Sequence, residues 1–145
     1  MHIVSGRVDT PLPSVIEVAT TGRAVFTKTT GTATGAVGVF TYDLVNSGSE
    51  TLCKIAVMFS VPFDFDFYDN LFAVGVFESN VECDYELYDL MYYKPQRGFL
   101  RDLALHDHRK FKHGDIVIEA SMTNTATPHL KVTVKQEHTS QVGEM

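Results

Sequence analysis

Ile116-Val117-Ile118-Glu119-Ala120-Ser121-Met122, followed by Leu130-Lys131-Val132-Thr133-Val134-Lys135, carries the period that decides the fold. Ile116, Ile118, Ala120 and Met122 alternate with Val117, Glu119 and Ser121. Leu130, Val132 and Val134 alternate in the same way with Lys131, Thr133 and Lys135. A period of two puts successive side chains on opposite faces, so both segments read as strands with one packed face and one wet face. Outward from them, strand signals recur at residues 15–18, 24–28, 36–44, 52–60 and 71–77, broken by glycine, proline and threonine. Residues 84–93 break the period. There Leu87, Leu90 and Met91 repeat at helical spacing, and Tyr85, Tyr88 and Tyr92 repeat on another face. Asp84 suits an N-cap, Glu86 suits the positive helix end, and Pro95 stops the helix. Many strands with one or two short helices predict a mainly β chain, an antiparallel β-sandwich flanked by short helix.

The 145 residues predict one domain over residues 1–135 and a polar, fraying tail over 136–145. No apolar run reaches the roughly 18 residues of a spanning helix, and Met1 to Val4 carry no signal-peptide pattern. Cys53 and Cys83 lack zinc-finger and Cys-x-x-Cys spacing, so they support one disulfide at most, or two buried thiols. The net charge of -6 is unevenly spread. From Ile55 to Tyr93 there are eight acidic residues and no lysine or arginine; from Lys94 to His113 there are six basic residues, two acidic ones and three histidines. The absence of a dominant basic face argues against nucleic acid, and the acidic half against an anionic membrane.

Phe59-Ser-Val-Pro-Phe-Asp-Phe-Asp-Phe-Tyr-Asp-Asn70 sets four aromatic rings and three carboxylates directly behind Pro62, with no cation among them. Rings with carboxylates suit a cationic head group lying on an apolar surface, such as choline on a membrane. Two readings of the tyrosine stripe stand open. In one, both helix faces are packed and the hydroxyls reach solvent at an edge. In the other, Leu87, Leu90 and Met91 dock inward while Tyr88, Tyr92 and Tyr93 line a groove that holds a trimethylammonium.

Enzyme chemistry finds little support. Ser60 has no Gly-x-Ser-x-Gly around it and no histidine near in sequence, and Thr32-Ala33-Thr34-Gly35-Ala36 is no phosphate-binding loop. Asp64 and Asp66 read as the wet face of a strand rather than a glycosidase pair. His106-Asp107-His108 and His113 have spacing compatible with a metal. Arg109, Lys110 and Lys112 stand among them and oppose a divalent ion, so the segment reads as a solvated basic loop. No metal and no cofactor is expected.

Residues 33–39 (Ala-Thr-Gly-Ala-Val-Gly-Val), 58–64 (Met-Phe-Ser-Val-Pro-Phe-Asp) and 86–93 (Glu-Leu-Tyr-Asp-Leu-Met-Tyr-Tyr) resemble the actinoporin family of pore-forming cytolysins. The three motifs stand in order at the family's spacing, and the resemblance covers Ser5 to about Val134. The two cysteines, absent from the anemone toxins, make a vertebrate actinoporin-like protein the nearer comparison. The resemblance implies a β-sandwich flanked by helices, like that of the fungal fruit-body lectins. It also implies secretion, action at a target cell membrane, and a phosphocholine site that prefers sphingomyelin. Carried over by position, that site is Ser5, Val37, Ser60, Pro62, Tyr68, Tyr88, Tyr92 and Tyr93. Phe65, Phe67, Leu71 and Phe72 would meet lipid. Implied partners are phosphocholine lipids and further copies of the chain on the membrane, with no nucleic acid.

Three departures accompany the match. The tryptophan positions of the family's membrane loop hold Phe67, Leu71 and Phe72, and the family's Arg-Gly-Asp is Arg97-Gly98-Phe99. The amphipathic N-terminal helix that lines actinoporin pores would lie ahead of Ser5, where this sequence has four residues. Two expectations follow: either the sequence is a fragment of a longer chain, or these residues recognise membranes without perforating them. The competing expectation is a soluble carbohydrate-binding module, since tyrosine grooves also stack sugars.

Overall fold

A computed structural model of the chain describes residues 1–16, 22–27, 35–46, 48, 50–62, 69–105, 108–125 and 127–136. Among these the strands are β1 (His2–Ser5), β2 (Arg7–Thr10), β3 (Val25–Thr27), β4 (Ala36–Val45), β5 (Thr51–Val61), β6 (Leu71–Phe77), β7 (Phe99–Leu103), β8 (Arg109–His113), β9 (Ile116–Met122) and β10 (Leu130–Gln136). One helix, α1 (Tyr85–Tyr93), sits between β6 and β7. The strands form a five-stranded sheet in the order β1-β4-β5-β6-β7, a three-stranded sheet β10-β9-β8 and a ribbon β2-β3. All pairings are antiparallel.

The two larger sheets close on each other as the sequence predicts. Ile55 and Val57 of β5 and Phe72, Val74 and Val76 of β6 meet Ile116, Ile118, Ala120 and Met122 of β9 in one inter-sheet core. The ribbon extends the second layer, its Phe26 ring lying 4.7 Å from that of Phe59. Gly6 turns the chain from β1 into β2 at φ 94°, and a Cβ there would stand 2.5 Å from the Thr27 carbonyl oxygen. That left-handed turn excludes any other residue.

The five-stranded sheet is buried on its other face too. Alternate residues Ala56 and Met58 of β5, Val39 of β4 and Ala73 of β6 pack under Leu87, Tyr88 and Met91 of α1. The helix is fixed at both ends. Asp84 accepts a hydrogen bond from the Leu87 N–H at 3.0 Å, the N-cap expected from sequence. At the far end α1 has no basic residue of its own in the last turn. Arg101 of β7 supplies the cation instead, donating to the Met91 and Lys94 carbonyls at 3.0 and 2.8 Å. Phe99, of the Arg97-Gly98-Phe99 run, is a core residue stacked on Phe77.

Several expectations are corrected. Val15 and Ile16 are exposed and lie outside any strand, and residues 17–18 fall outside the described set. Pro11 and Pro13 next to them cannot donate to a ladder, and the segment is tied to β4 by the Tyr42 hydroxyl donating to the Pro13 carbonyl. The basic loop is β8 from Arg109 on, stitched to β7 by an ion pair between Arg109 and Asp102. His106, Asp107 and residues 137–145 lie outside the described residues, and β10 extends to Gln136. Both cysteines are free thiols. Cys53 faces the inter-sheet core, while Cys83 packs on the helix side and contacts the Val39 carbonyl oxygen at 3.5 Å.

Gly75 tests the helix-side packing, because a Cβ there would lie 2.5 Å from Phe99 Cβ and 2.7 Å from the Gly98 carbonyl oxygen. Gly75→Ala is expected to lower unfolding free energy by about 1–3 kcal/mol in urea titration, through displacement of β7.

Candidate functional site

Four residues picked out by the sequence stand in one row across the sheet. Ser5 pairs with Val37, Val37 with Ser60, and Ser60 with Leu71. Paired residues point to the same face about 4.5–5.5 Å apart, and Val37 and Leu71 pack into the helix-side core, so the row faces α1. Ser5 joins it through an irregularity: β1 shifts register between Ile3, which pairs with Gly38, and Ser5. Without the extra residue, Ser5 would point to the opposite face. Ser5, Val37, Ser60 and Pro62 are all half-buried, the exposure of a groove floor rather than a core. The Ser5 hydroxyl donates to the Gly35 carbonyl at 3.1 Å, which commits its proton and leaves its oxygen as an acceptor.

Above the row, α1 presents a ladder of rings. Tyr85–Tyr88, Tyr88–Tyr92 and Tyr92–Tyr93 centroids are 5.7, 5.5 and 4.5 Å apart, and the His2 ring meets the edge of Tyr85 at 6.3 Å. The two sequence readings of the stripe each describe part of it. Tyr88 is buried, Tyr92 half-buried and Tyr93 62% exposed, so the ladder climbs from core to solvent. Of the residues expected to dock, Leu87 and Met91 are buried and Leu90 is half-buried. Burial pushes the Tyr88 hydroxyl far above its usual range, and the neighbouring tyrosines add to the shift. It therefore stays protonated, a hydrogen-bond donor at any physiological pH.

Carboxylates surround the ladder. Glu86 lies in the first turn of α1, and Asp89 is 3.7 Å from the Lys94 ammonium. Next to the row, Asn70 is fully buried and locks the start of β6 to the β9–β10 turn. Its side-chain amide donates to the Thr123 and Thr125 carbonyls at 3.1 and 2.8 Å, and its backbone N–H to Asn124 Oδ1 at 3.1 Å. Sequence reasoning gave Asn70 and Arg101 no role; the one available signal is that Arg101 alternates with Phe99 on one face.

Phe72 is corrected. Its side chain is 1% exposed, paired with Phe59 and turned into the inter-sheet core, so it meets other core side chains rather than lipid. Leu71, its neighbour on the opposite face, is half-buried beside Ser60. Phe65, Phe67 and Tyr68 lie outside the described residues.

The model of the sea anemone cytotoxic protein family matches residues 1–136. The chain belongs to that family, the actinoporins. DELTA-stichotoxin-Hcr4b of Radianthus crispa is 37% identical over 100 residues, covering 65% of this chain and 51% of the toxin. DELTA-alicitoxin-Pse1b of Phyllodiscus semoni is 36% identical over 106 residues, covering 69% and 45%. This actinoporin-family chain thus spans about half the length of the curated relatives it matches. Among solved structures, the lipid-binding protein Nakanori shares the fold with a TM-score of 0.68 at 16% identity, over 92% of this chain and 61% of its own. The family consists of toxins without enzymatic activity.

Tyr88 gives this actinoporin-family chain a measurable alkaline signature. A tyrosine whose folded pKa lies above its unfolded value of about 10 binds more protons folded than unfolded over that interval. Its contribution to stability is complete below pH 10 and is lost as pH rises toward the folded value. Burial raises the Tyr42 hydroxyl as well, so absorbance titration at 295 nm is expected to show late tyrosine ionisation whose amplitude falls, without vanishing, in Tyr88→Phe.

Proposed function

We propose that this domain docks a toxin-like protein onto target membranes by reading a phosphocholine head group on the helix side of its sandwich. The observation that carries the reading is the row Ser5–Val37–Ser60, three positions of the family's head-group site held in register on the face covered by the tyrosine ladder. A quaternary ammonium fits against Tyr92 and Tyr93, where each partly desolvated ring contributes on the order of 1 kcal/mol. Val37 and Pro62 supply apolar contact for the methyl groups, and the Tyr88 and Ser60 hydroxyls supply donors for the phosphate. Glu86 in the first turn favours the cation, while Asp89 is paired with Lys94 and Arg101 caps the far end of α1, so the rings supply most of the attraction.

The remaining positions extend this reading. Tyr68 joins the head-group set, while Phe65, Phe67 and Leu71 meet the acyl region; phenylalanine and leucine insert without the interfacial preference of indole. Membership of a cytotoxic protein family and the shared fold with a lipid-binding protein support a membrane target over a sugar. Sphingomyelin preference, assembly of several copies and cation-conducting pores are properties the family relationship suggests for the whole protein.

Sedimentation with vesicles tests the site. Binding is expected to sphingomyelin and phosphatidylcholine vesicles and not to phosphatidylglycerol vesicles. Tyr93→Ala, at a ring already in solvent, should weaken affinity on the order of fivefold without changing the melting temperature. Tyr92→Ala and Ser60→Ala should weaken it further in proteins with native circular dichroism. Unchanged vesicle binding in these three variants would sink the site. Glycan binding with no response to any vesicle would replace it with the lectin reading.

A further inference from the structure

The outer face of the three-stranded sheet takes no part in the site above. In β9 the residues Ile116, Ile118, Ala120 and Met122 line the inter-sheet core, so Val117, Glu119 and Ser121 point away from it. Register carries this outward face onto the flanking strands. Lys110 and Thr133 flank Glu119, Lys112 and Lys135 flank Val117, and Lys131 stands beside Ser121. His108, just ahead of β8 and in phase with Lys110, bonds Glu119 Oε1 through Nε2 at 2.9 Å.

The four lysines are all exposed, in a chain whose net charge is -6. Strand geometry puts Lys110 and Lys112 about 7 Å apart on one side of β9, and the β10 lysines roughly 10 Å across from them. Glu119 is the one carboxylate at these outward positions, and it is already engaged: Lys135 Nζ donates to its Oε2 at 3.1 Å, opposite the His108 contact. Those two hydrogen bonds, Lys135 first, together with the charges of Lys135 and Lys110, hold its carboxyl below the usual range. The face therefore stays cationic although the chain as a whole is acidic.

We propose that this lysine face binds a sulfated or carboxylated polysaccharide laid along β9 between the two lysine-bearing strands. Charge complementarity selects a polyanion, and what the face lacks selects its class. Lysines alone attract an anionic bilayer only through its surface charge; firmer seating needs side chains that insert, and the apolar outward residue Val117 is 2% exposed. Single-stranded nucleic acid calls for rings to stack on, and these outward positions of β8, β9 and β10 hold no Phe, Tyr or Trp. A linear, repeatedly charged glycan needs only spaced ammonium groups, and the exposed lysines of β8 and β10 supply them on either side of β9. The face lies on the opposite side of the sandwich from α1, so a glycan held there leaves the tyrosine ladder uncovered.

Heparin is the probe. The chain should bind immobilised heparin at 0.15 M salt despite its acidic isoelectric point, and should not bind neutral dextran. Lys110→Glu with Lys131→Glu, two exposed positions, should weaken heparin binding at least tenfold. The slope of log affinity against log salt should become shallower by roughly two, one for each lost ion contact. Lys94→Glu, the same charge change beside α1, should leave heparin binding unchanged, and the double variant should keep native binding to phosphatidylcholine vesicles. Flow-through of the wild-type chain, or equal loss in Lys94→Glu, overturns the proposal. So does tighter binding to phosphatidylserine vesicles or single-stranded DNA than to heparin. Salt-sensitive dimerisation abolished by the double variant, without heparin binding, would assign the face to a second copy instead.

Discussion

The register of β5 between β4 and β6 is the constraint on which the rest of the molecule depends. Its odd-numbered residues Ile55 and Val57 enter the inter-sheet core, and its even-numbered residues Ala56 and Met58 enter the core beneath α1. A slip of one residue would exchange these sets, driving Lys54 and Ser60 between the sheets and leaving the helix without a bed. Because both faces are occupied, the two cores fix each other. The row beneath the tyrosine ladder follows from the same register, since Val37, Ser60 and Leu71 are brought into line by the pairings that set the cores.

The helix is held as tightly as the sheet it covers. Asp84 closes its first turn and Arg101, reaching over from β7, closes its last, so the polar groups at both ends have partners from outside the helix interior. Leu87 and Met91 anchor it, and burial of each side chain contributes roughly 1.5–3 kcal/mol. Such anchoring lets the tyrosines be positioned by the fold instead of by a ligand. Tyr88 is committed to the packing, Tyr92 lies at the boundary, and Tyr93 is free to meet whatever approaches.

How much of this was legible in the sequence depended on how many faces each element buries. β9 and β10 alternate cleanly because one face is wet, and α1 declared itself through its cap and its helical period. β6 buries both faces, so the run Leu71–Phe77 has no period to show which residue points where. The family's tryptophan positions mark Phe72 as a lipid contact, with no period in the run to oppose that reading, yet it belongs to the core. β8 escaped notice for the opposite reason: its lysines and histidine look like loop until β9 supplies the partner. The row was visible only as separate positions, because register across three strands is a tertiary fact, and the β1 irregularity that brings Ser5 into it leaves no local mark.

The placement of the two thiols has a consequence for where such a protein can exist. Cys53 and Cys83 stand on opposite sides of the same sheet, which separates them as a wall separates two rooms. Neither can reach the other unless the sheet is taken apart, so an oxidant has no internal crosslink to form in the native state. The covalent connectivity of the folded chain is thus the same in a reducing cytosol and in an oxidising exterior. Its stability rests on packing and hydrogen bonds, without a bridge between these two thiols.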